Sequence, residues 1–341
     1  MATRLKDIAE HLQLSLMTVS KVLRNHPDIS EKTRARVMKH AREIDYRPNL
    51  AARSLVTGRT YAIGLIVPDL VHPFFGEVAK AFSRVLRSTG YSLVLSSSEG
   101  DVELERQEID LLLSRQVDVL VLASSQTSAA SLRALDKRKT PYILIDRSLN
   151  GLDCNFVGSD DLEVGRIAAE HLVEAGCTRI AHIGGPEVST AINRAEGFKE
   201  SLRTNGFPLS PQYLISGKHD NDAGDVSGYK AMQRLLRLKA RPDGVFCYND
   251  PTAMGAMRAA LEAGLHVPED VAIMGCGNVT YAGFMRVPLT SVDQQSQMIG
   301  ETSARLALDL LVKTPRRPKR VVLQPKLIKR KSTDRSLKTA P

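Results

Sequence analysis

The chain has no apolar run approaching the roughly 18 uninterrupted residues of a membrane span, and its start, MATRLKDIAEHLQ, has no signal-peptide core. These absences argue against membrane partners and point to a cytoplasmic location. Four cysteines, Cys154, Cys177, Cys247 and Cys276, stand far apart without CxxC or Cys/His ligand spacing, so buried free thiols are expected rather than disulfides or zinc. None of the eight histidines falls in an HExxH pattern, and no metal site is expected. The sequence also lacks GxGxxG opening a helix, GxxxxGK[ST] and GxSxG; GCGN after VAIM lacks the remaining glycine spacing. The scattered carboxylates Asp146, Asp160, Asp161 and Asp250 show no acid/base spacing. Catalysis and a resident cofactor are therefore disfavoured.

What is present is a 341-residue chain, 43% hydrophobic and 25% charged, the balance of a globular protein of two or three domains. The net charge of +9 is uneven. Residues 1–60 carry 12 Lys/Arg against 6 Asp/Glu, and residues 313–341 carry 11 against 1, leaving the body between them at −7. A basic head suits a polyanion, because each neutralised phosphate releases counterions, although a merely solvated surface has the same charge. The C-terminal cluster flanks VVLQPKLI, which reads as a strand, and is taken as a solvated edge plus a tail.

In RLKDIAEHL, Leu5, Ile8, Ala9 and Leu12 form one apolar stripe at spacings of three and four, predicting a short helix. Gln13 and Leu14 break it, and Ser15 can cap a second helix over Leu16–Arg24. On that helix Val19, Val22 and Leu23 share the core face, while Met17, Ser20 and Lys21 share the other with Leu16 at the boundary. A third helix starts after Ser30, carries Val37, Ala41 and Ile44 inward, and is expected to close at Pro48. This order is the helix-turn-helix arrangement, whose second helix enters the DNA major groove, although generic helix pairs often produce similar patterns.

The wording "DIAEHLQLSLMTVSKVL", "ISEKTRARV" and "DYRPNLAARSL" resembles the head of the lactose/galactose repressor family of bacterial transcription regulators. By that resemblance Leu16, Met17 and Lys21 read bases, and Arg4, Thr18, Ser20, Arg24, Ser30, Thr33, Tyr46 and Asn49 contact the DNA backbone. Leu16 and Met17 could read only thymine methyls or shape, whereas Lys21 reaches guanine acceptors; core packing is the competing role for the two apolar residues. Gln13 stands where the family commonly has glycine, a substitution that costs up to about 1 kcal/mol in a left-handed turn or changes the turn. After Pro48, NLAARSLVTGRT is too short for a stable isolated helix. The resemblance makes it a hinge helix that forms on DNA, with Ala52 in the hinge and Leu55 wedged between base steps; a plain linker is the alternative.

From Tyr61 onward, short β-branched runs (AIGLIVP, YSLVLS, DVLVLA, YILID, NFVGS, then RIAHIGG, DGVFCY, VAIMGC, LTSVD) alternate with helical patterns, the rhythm of parallel sheets covered by helices. Two halves joined by returns near Val292 and Val321 would leave a cleft at the strand carboxyl ends. The expected fold is thus an all-α helix-turn-helix head (1–47), a hinge helix and linker (48–60), and an α/β effector domain (61–341) of two Rossmann-like parallel-sheet subdomains. The first spans about 61–160 plus 292–320, the second about 161–291 plus 321–333, and 334–341 form a tail.

Stretches such as "GLIVPDLVHPFFGEV", "HIGGP", "PDGVFCYNDPTAMGA" and "GLHVPEDVAIMGCGN" resemble the same family's effector domain, which is similar to periplasmic sugar-binding proteins. The resemblance implies that Phe74 and Phe75 line the cleft, Asp146, Thr190, Arg194 and Asn249 hydrogen-bond an effector, and Phe156 stacks on it. Ordinary strand-end bonding or core packing is the competing role for each. Gly277 stands where the family usually has an Asp, and Ala223 where an aromatic is common, so either the effector is larger or less hydroxylated than a simple hexose or Asn278 substitutes. The expected partners are double-stranded operator DNA, a small-molecule effector of sugar-like chemistry and a second copy of the chain. A cytoplasmic small-molecule binding protein and a sugar-metabolising enzyme are the alternatives.

Overall fold

The computed structural model describes residues 4–23, 26–46, 54–55, 57–136, 140–207, 209–217, 224–313 and 317–335. They fall into two units, residues 1–60 and 61–341. In the first unit, α1 (Leu5–Leu12), α2 (Leu16–Leu23) and α3 (Glu31–Glu43) enclose a small core of Ile8, Ala9, Leu12, Val19, Val22, Val37 and Ala41. Each larger member contributes about 1.5–3 kcal/mol by leaving water.

The caps follow the local chemistry. Asp7 accepts from the Arg4 backbone N–H at 2.7 Å, Ser15 Oγ from Thr18 N–H at 3.0 Å, and Ser30 Oγ from Thr33 N–H at 3.3 Å. Gln13 keeps the left-handed turn at φ 51° despite its Cβ. Helix α3 stops earlier than expected, at Glu43, because Asp45 turns left-handed at φ 44°; Pro48 lies outside the described residues. Arg24, Asn49, Ala52 and Ala223 also lie outside them.

The second unit contains two six-stranded sheets. In the first, β1 (Ala62–Val67), β2 (Ser92–Ser97), β3 (Val119–Leu122), β4 (Tyr142–Ile145) and β5 (Asn155–Ser159) are all parallel. Helices α4 (Pro73–Leu86), α5 (Val102–Ser114) and α6 (Ala129–Asp136) connect them. In the second, the helices are α7 (Asp161–Glu174), α8 (Ser189–Thr204), α9 (Gly224–Leu236) and α10 (Asp250–Glu262). They alternate with β6 (Ile180–Ile183), β7 (Leu214–Ile215), β8 (Gly244–Cys247), β9 (Ala272–Cys276) and β10 (Thr290–Asp293). Helix α11 (Ser296–Val312) returns to pack on α4.

The chain then crosses twice, and here the expected boundaries need correction. VVLQPKLI is not one strand: β11 (Arg320–Leu323) pairs parallel with β5 in the first sheet, and β12 (Lys326–Ile328) pairs antiparallel with β10 in the second. Pro325 between them has no N–H to extend a ladder, which splits the run. The first sheet therefore takes β11, assigned beforehand to the second subdomain, and the second sheet takes all of β10. Both returning strands are edges, where their Lys and Arg side chains discourage further pairing.

The strand orders are β11-β5-β4-β3-β1-β2 and β12-β10-β9-β8-β6-β7. Each reverses direction of winding beside its first strand, the place where α/β sheets open a crevice at their carboxyl ends. All four cysteines are buried, and they form no disulfide. Among the described residues, no helix is long and apolar enough to cross a membrane.

Helices α7 and α8 pack backbone to backbone. A Cβ on Gly197 would lie 2.0 Å from Leu162 O, and one on Gly165 2.1 Å from Arg194 O. Backbone carbonyls cannot move aside as a flexible side chain would. Gly197→Ala is expected to destabilise the second unit by about 1–3 kcal/mol, read as a lower urea midpoint; an unchanged midpoint would contradict this packing.

Candidate functional site

Two surfaces carry the residues singled out by the sequence. The first is the outer side of α2. Burial of Val19 and Val22 turns Leu16 and Met17 outward, 49% and 69% exposed, so core packing does not account for them. Lys21 lies on the same side, its Nζ 2.6 Å from Asp28 Oδ2, while Asp28 Oδ1 is 2.5 Å from His26 Nδ1. The hydrogen bond from Lys21 holds the Asp28 carboxyl below its usual range.

The backbone-contact candidates are placed around this side less uniformly. Thr18 and Thr33 hydroxyls bond the capping serines Ser15 and Ser30 at 2.8 and 2.9 Å. Arg4 is exposed, Ser20 half-buried, and Tyr46 partly packed on the core, which pushes its hydroxyl above the ordinary phenol range. Leu55 is 88% exposed.

The second surface is the crevice between the two sheets of the body. Asp146 follows β4 directly and takes φ 60°, uncommon for a residue with a Cβ and often found at functional positions. Burial raises its carboxyl, opposed by Arg194 and Arg147. Thr190 and Arg194 project from the start of α8, which follows β6. Arg194, 3% exposed, donates through Nε to Asp161 Oδ1 at 2.8 Å and through Nη1 to Tyr248 O at 2.9 Å. Thr190 Oγ1 lies 3.1 Å from Tyr248 OH. The Tyr248 ring has room because Gly185 has no Cβ, which would otherwise lie 2.5 Å from the ring.

Asn249 caps α10, accepting from Thr252 N–H at 2.9 Å, and its amide nitrogen donates to His72 Nε2 at 3.1 Å. His72 immediately precedes α4, so this bond joins the two halves. Ser148 N–H to Ser189 Oγ at 2.9 Å joins them again, and Gln294 donates to Asp146 at 3.3 Å. Phe74 and Phe75 are buried edge to face with centroids 5.1 Å apart, and both lie near His72.

The crevice thus gathers Phe74, Phe75, Asp146, Thr190, Arg194 and Asn249, but not the other two candidates. Phe156 lies at the amino end of β5, opposite the crevice, packed in a core with Leu144 and Leu152 under the Arg320 guanidinium 4.7 Å from its centroid. It serves as a core residue rather than an effector platform. Asn278 is tied down by Arg330, which donates to its Oδ1 at 2.6 Å, and its own backbone N–H donates to Ser291 Oγ at 2.9 Å. Its amide is thus engaged by the second lobe's own side chains.

Sequence reasoning missed His72, Asp161, Tyr248 and Gln294. Asp161 had one available signal: it follows the capping Asp160, whose carboxylate accepts from Glu163 N–H, leaving Asp161 free for Arg194. A separate groove of about 1100 Å³ runs along α7, α8 and β7. Its charged rim is occupied by ion pairs of Arg166 with Glu163 and Glu170, and of Arg203 with Glu200.

A helix-turn-helix unit ahead of a two-lobed α/β body with a crevice is the build of a ligand-responsive DNA-binding regulator. Residues 4–49 match the lacI family of bacterial regulatory proteins, and residues 169–333 match the periplasmic binding protein-like domain. The chain is 33% identical to the HTH-type transcriptional repressor PurR of Yersinia pestis bv. Antiqua (strain Antiqua), over 97% of each chain. The Lac repressor bound to ONPG in its repressed state superposes with a TM-score of 0.85 at 26% identity, covering 97% of this chain and 100% of that one. The CelR transcriptional regulator in complex with cellobiose does so with a TM-score of 0.70 at 28% identity, covering 97% and 99%. The chain belongs to the lacI family of bacterial regulatory proteins, and the relatives named here are transcriptional regulators rather than enzymes.

Burial pulls the His72 imidazole down to about 4 from an ordinary 6.5. A depressed histidine loses its stabilising contact on acidification, because the unfolded or opened ring takes up the proton first. The His72–Asn249 bridge should be complete above pH 6.5 and lost as the pH falls toward 4. Imidazole nitrogen NMR should show the His72 ring neutral through pH 6 in the full chain; an ordinary midpoint near 6.5 would contradict the buried bridge.

Proposed function

We propose that this chain is a homodimeric, cytoplasmic transcription repressor whose paired heads read a near-palindromic operator, under control of a small metabolite held between the two lobes. The observation that carries the reading is the division of α2, with Val19 and Val22 buried while Leu16, Met17 and Lys21 are turned outward. On this reading Lys21 meets guanine acceptors, Leu16 and Met17 meet thymine methyls, and Arg4, Thr18, Ser20, Arg24, Ser30, Thr33, Tyr46 and Asn49 set the register on phosphates. Leu55, just after the hinge residue Ala52, enters the minor groove.

Pairing of two chains is supported by apolar side chains left outside both lobes, Val71 and Phe284 at 87% exposure and Leu95 and Val226 above 40%. One short helix also reads too few bases to select a site alone. For the metabolite, Asp146, Thr190, Arg194 and Asn249 present polar groups beside Phe74 and Phe75, a setting suited to a polyol with an apolar face. Sugar-like chemistry is favoured, and because Gly277 supplies no carboxylate, the compound is larger or less hydroxylated than a simple hexose. It controls DNA affinity only through unequal binding to open and closed bodies, typically worth about 1–3 kcal/mol.

The test begins with duplexes recovered from a random library by the purified chain. Gel shifts with the selected duplex should show a two-chain complex, weakened about tenfold or more by Lys21→Ala and by Leu55→Ala. Absence of selective retardation at moderate salt would overturn the regulatory reading, and a one-chain complex would remove the pairing.

A further inference from the structure

Asp28 places a carboxylate on the side of the head that the lacI-type reading turns toward a polyanion, where a negative charge weakens binding. It does not stand there alone. Its Oδ2 accepts from Lys21 Nζ at 2.6 Å and its Oδ1 faces His26 Nδ1 at 2.5 Å. The backbone at His26 is held in turn by Arg34 Nη2, which donates to His26 O at 2.8 Å from helix α3. The loop carrying Asp28 is thus fastened to the head's third helix, and the carboxylate has a set position relative to Lys21.

A lysine ammonium is a compact point charge with three donors and shows no preference among anionic oxygens. Left free on a DNA-facing helix, it would bind any phosphate and raise affinity for every sequence alike. With Asp28 on one donor, the outcome depends on what the DNA offers. A phosphate brought to Lys21 sets two anions against one cation. A guanine edge presents the neutral acceptors O6 and N7, so Lys21 can keep Asp28 on one donor and give the others to the base without bringing a second anion near.

We propose that Asp28 is a specificity-determining residue of this chain: by holding the Lys21 ammonium, it suppresses contacts to phosphate and leaves guanine as the acceptor Lys21 can take. This rests on the reading that Lys21 faces DNA, and the test separates the two. Asp28 acts through Lys21 and is a positioning residue.

The experiment measures dissociation constants of the full chain, by fluorescence anisotropy at fixed salt, for two probes. One is the duplex selected from the random library, and the other is a scrambled duplex of equal length and composition. Four proteins are compared: wild type, Asp28→Asn, Lys21→Gln and the double variant. Asp28→Asn should tighten the scrambled duplex about fivefold and the selected duplex by less than about twofold, so discrimination falls. In the Lys21→Gln background the same change should tighten the scrambled duplex by less than about twofold. Equal tightening in both backgrounds would show that Asp28 acts only as a net charge and would overturn the proposal. So would an unchanged ratio of the two affinities in Asp28→Asn. If Lys21→Gln alone alters neither affinity, Lys21 does not face DNA, and both the proposal and the reading beneath it fail. Lys21 and Asp28 are 32% and 46% exposed and lie outside the apolar core of the head, so matching thermal transitions of all four proteins are expected and keep the comparison clean.

Discussion

Helix α2 has eight residues, fewer than the dozen or so needed for a helix to persist by itself in water, so its orientation comes from what its inner side chains touch. Val19 and Val22 are 0% and 2% exposed, locked among Ile8, Leu12 and Val37. That apolar contact decides which residues remain outside. Rotating the helix to bury Met17 would expose both valines and bring Lys21 toward an apolar core, where an unpaired ammonium is costly. The outward presentation of Leu16, Met17 and Lys21 is thus a consequence of core packing, and the proposed contact with nucleic acid depends on it.

A parallel constraint governs the body. Arg194 lies inside the second lobe, and a guanidinium there needs a countercharge and hydrogen-bond acceptors. Asp161 and the Tyr248 carbonyl supply them, and the glycines that let α7 approach α8 bring Asp161 within reach. The polar groups of the crevice are therefore already engaged with one another, across lobes in the case of His72 and Asn249. On the proposed reading, a metabolite entering this crevice exchanges its own groups for these internal bonds, and occupancy thereby favours one relation of the lobes over another.

Much of this organisation was legible in the amino-acid order because it is locally encoded. Ser15 and Ser30 announce helix starts, β-branched runs mark buried parallel strands, and the apolar stripe of RLKDIAEHL names its inner face. What escaped was set by distant partners. The split of VVLQPKLI depends on which sheet edges lie nearby, and only Pro325 hints at a break. The core role of Phe156 follows from its place at the amino end of β5 beneath Arg320, and Asn278 is claimed by Arg330 from 52 residues away. Arg194 and Asn249 came from the family resemblance, but their partners Asp161 and His72 belong to other elements and left no short-range pattern.

The central claim, that the exposed side of α2 meets DNA, is tested most directly by methyl NMR of the nine methionines in the full chain. Met17 lies on the outer side of α2 and Met38 packs against the head's core, so one unit contains both probe and control. On addition of a selected duplex, the Met17 methyl should shift or broaden strongly while Met38 changes little. A Met17 signal left unchanged with the duplex fully bound would contradict the account.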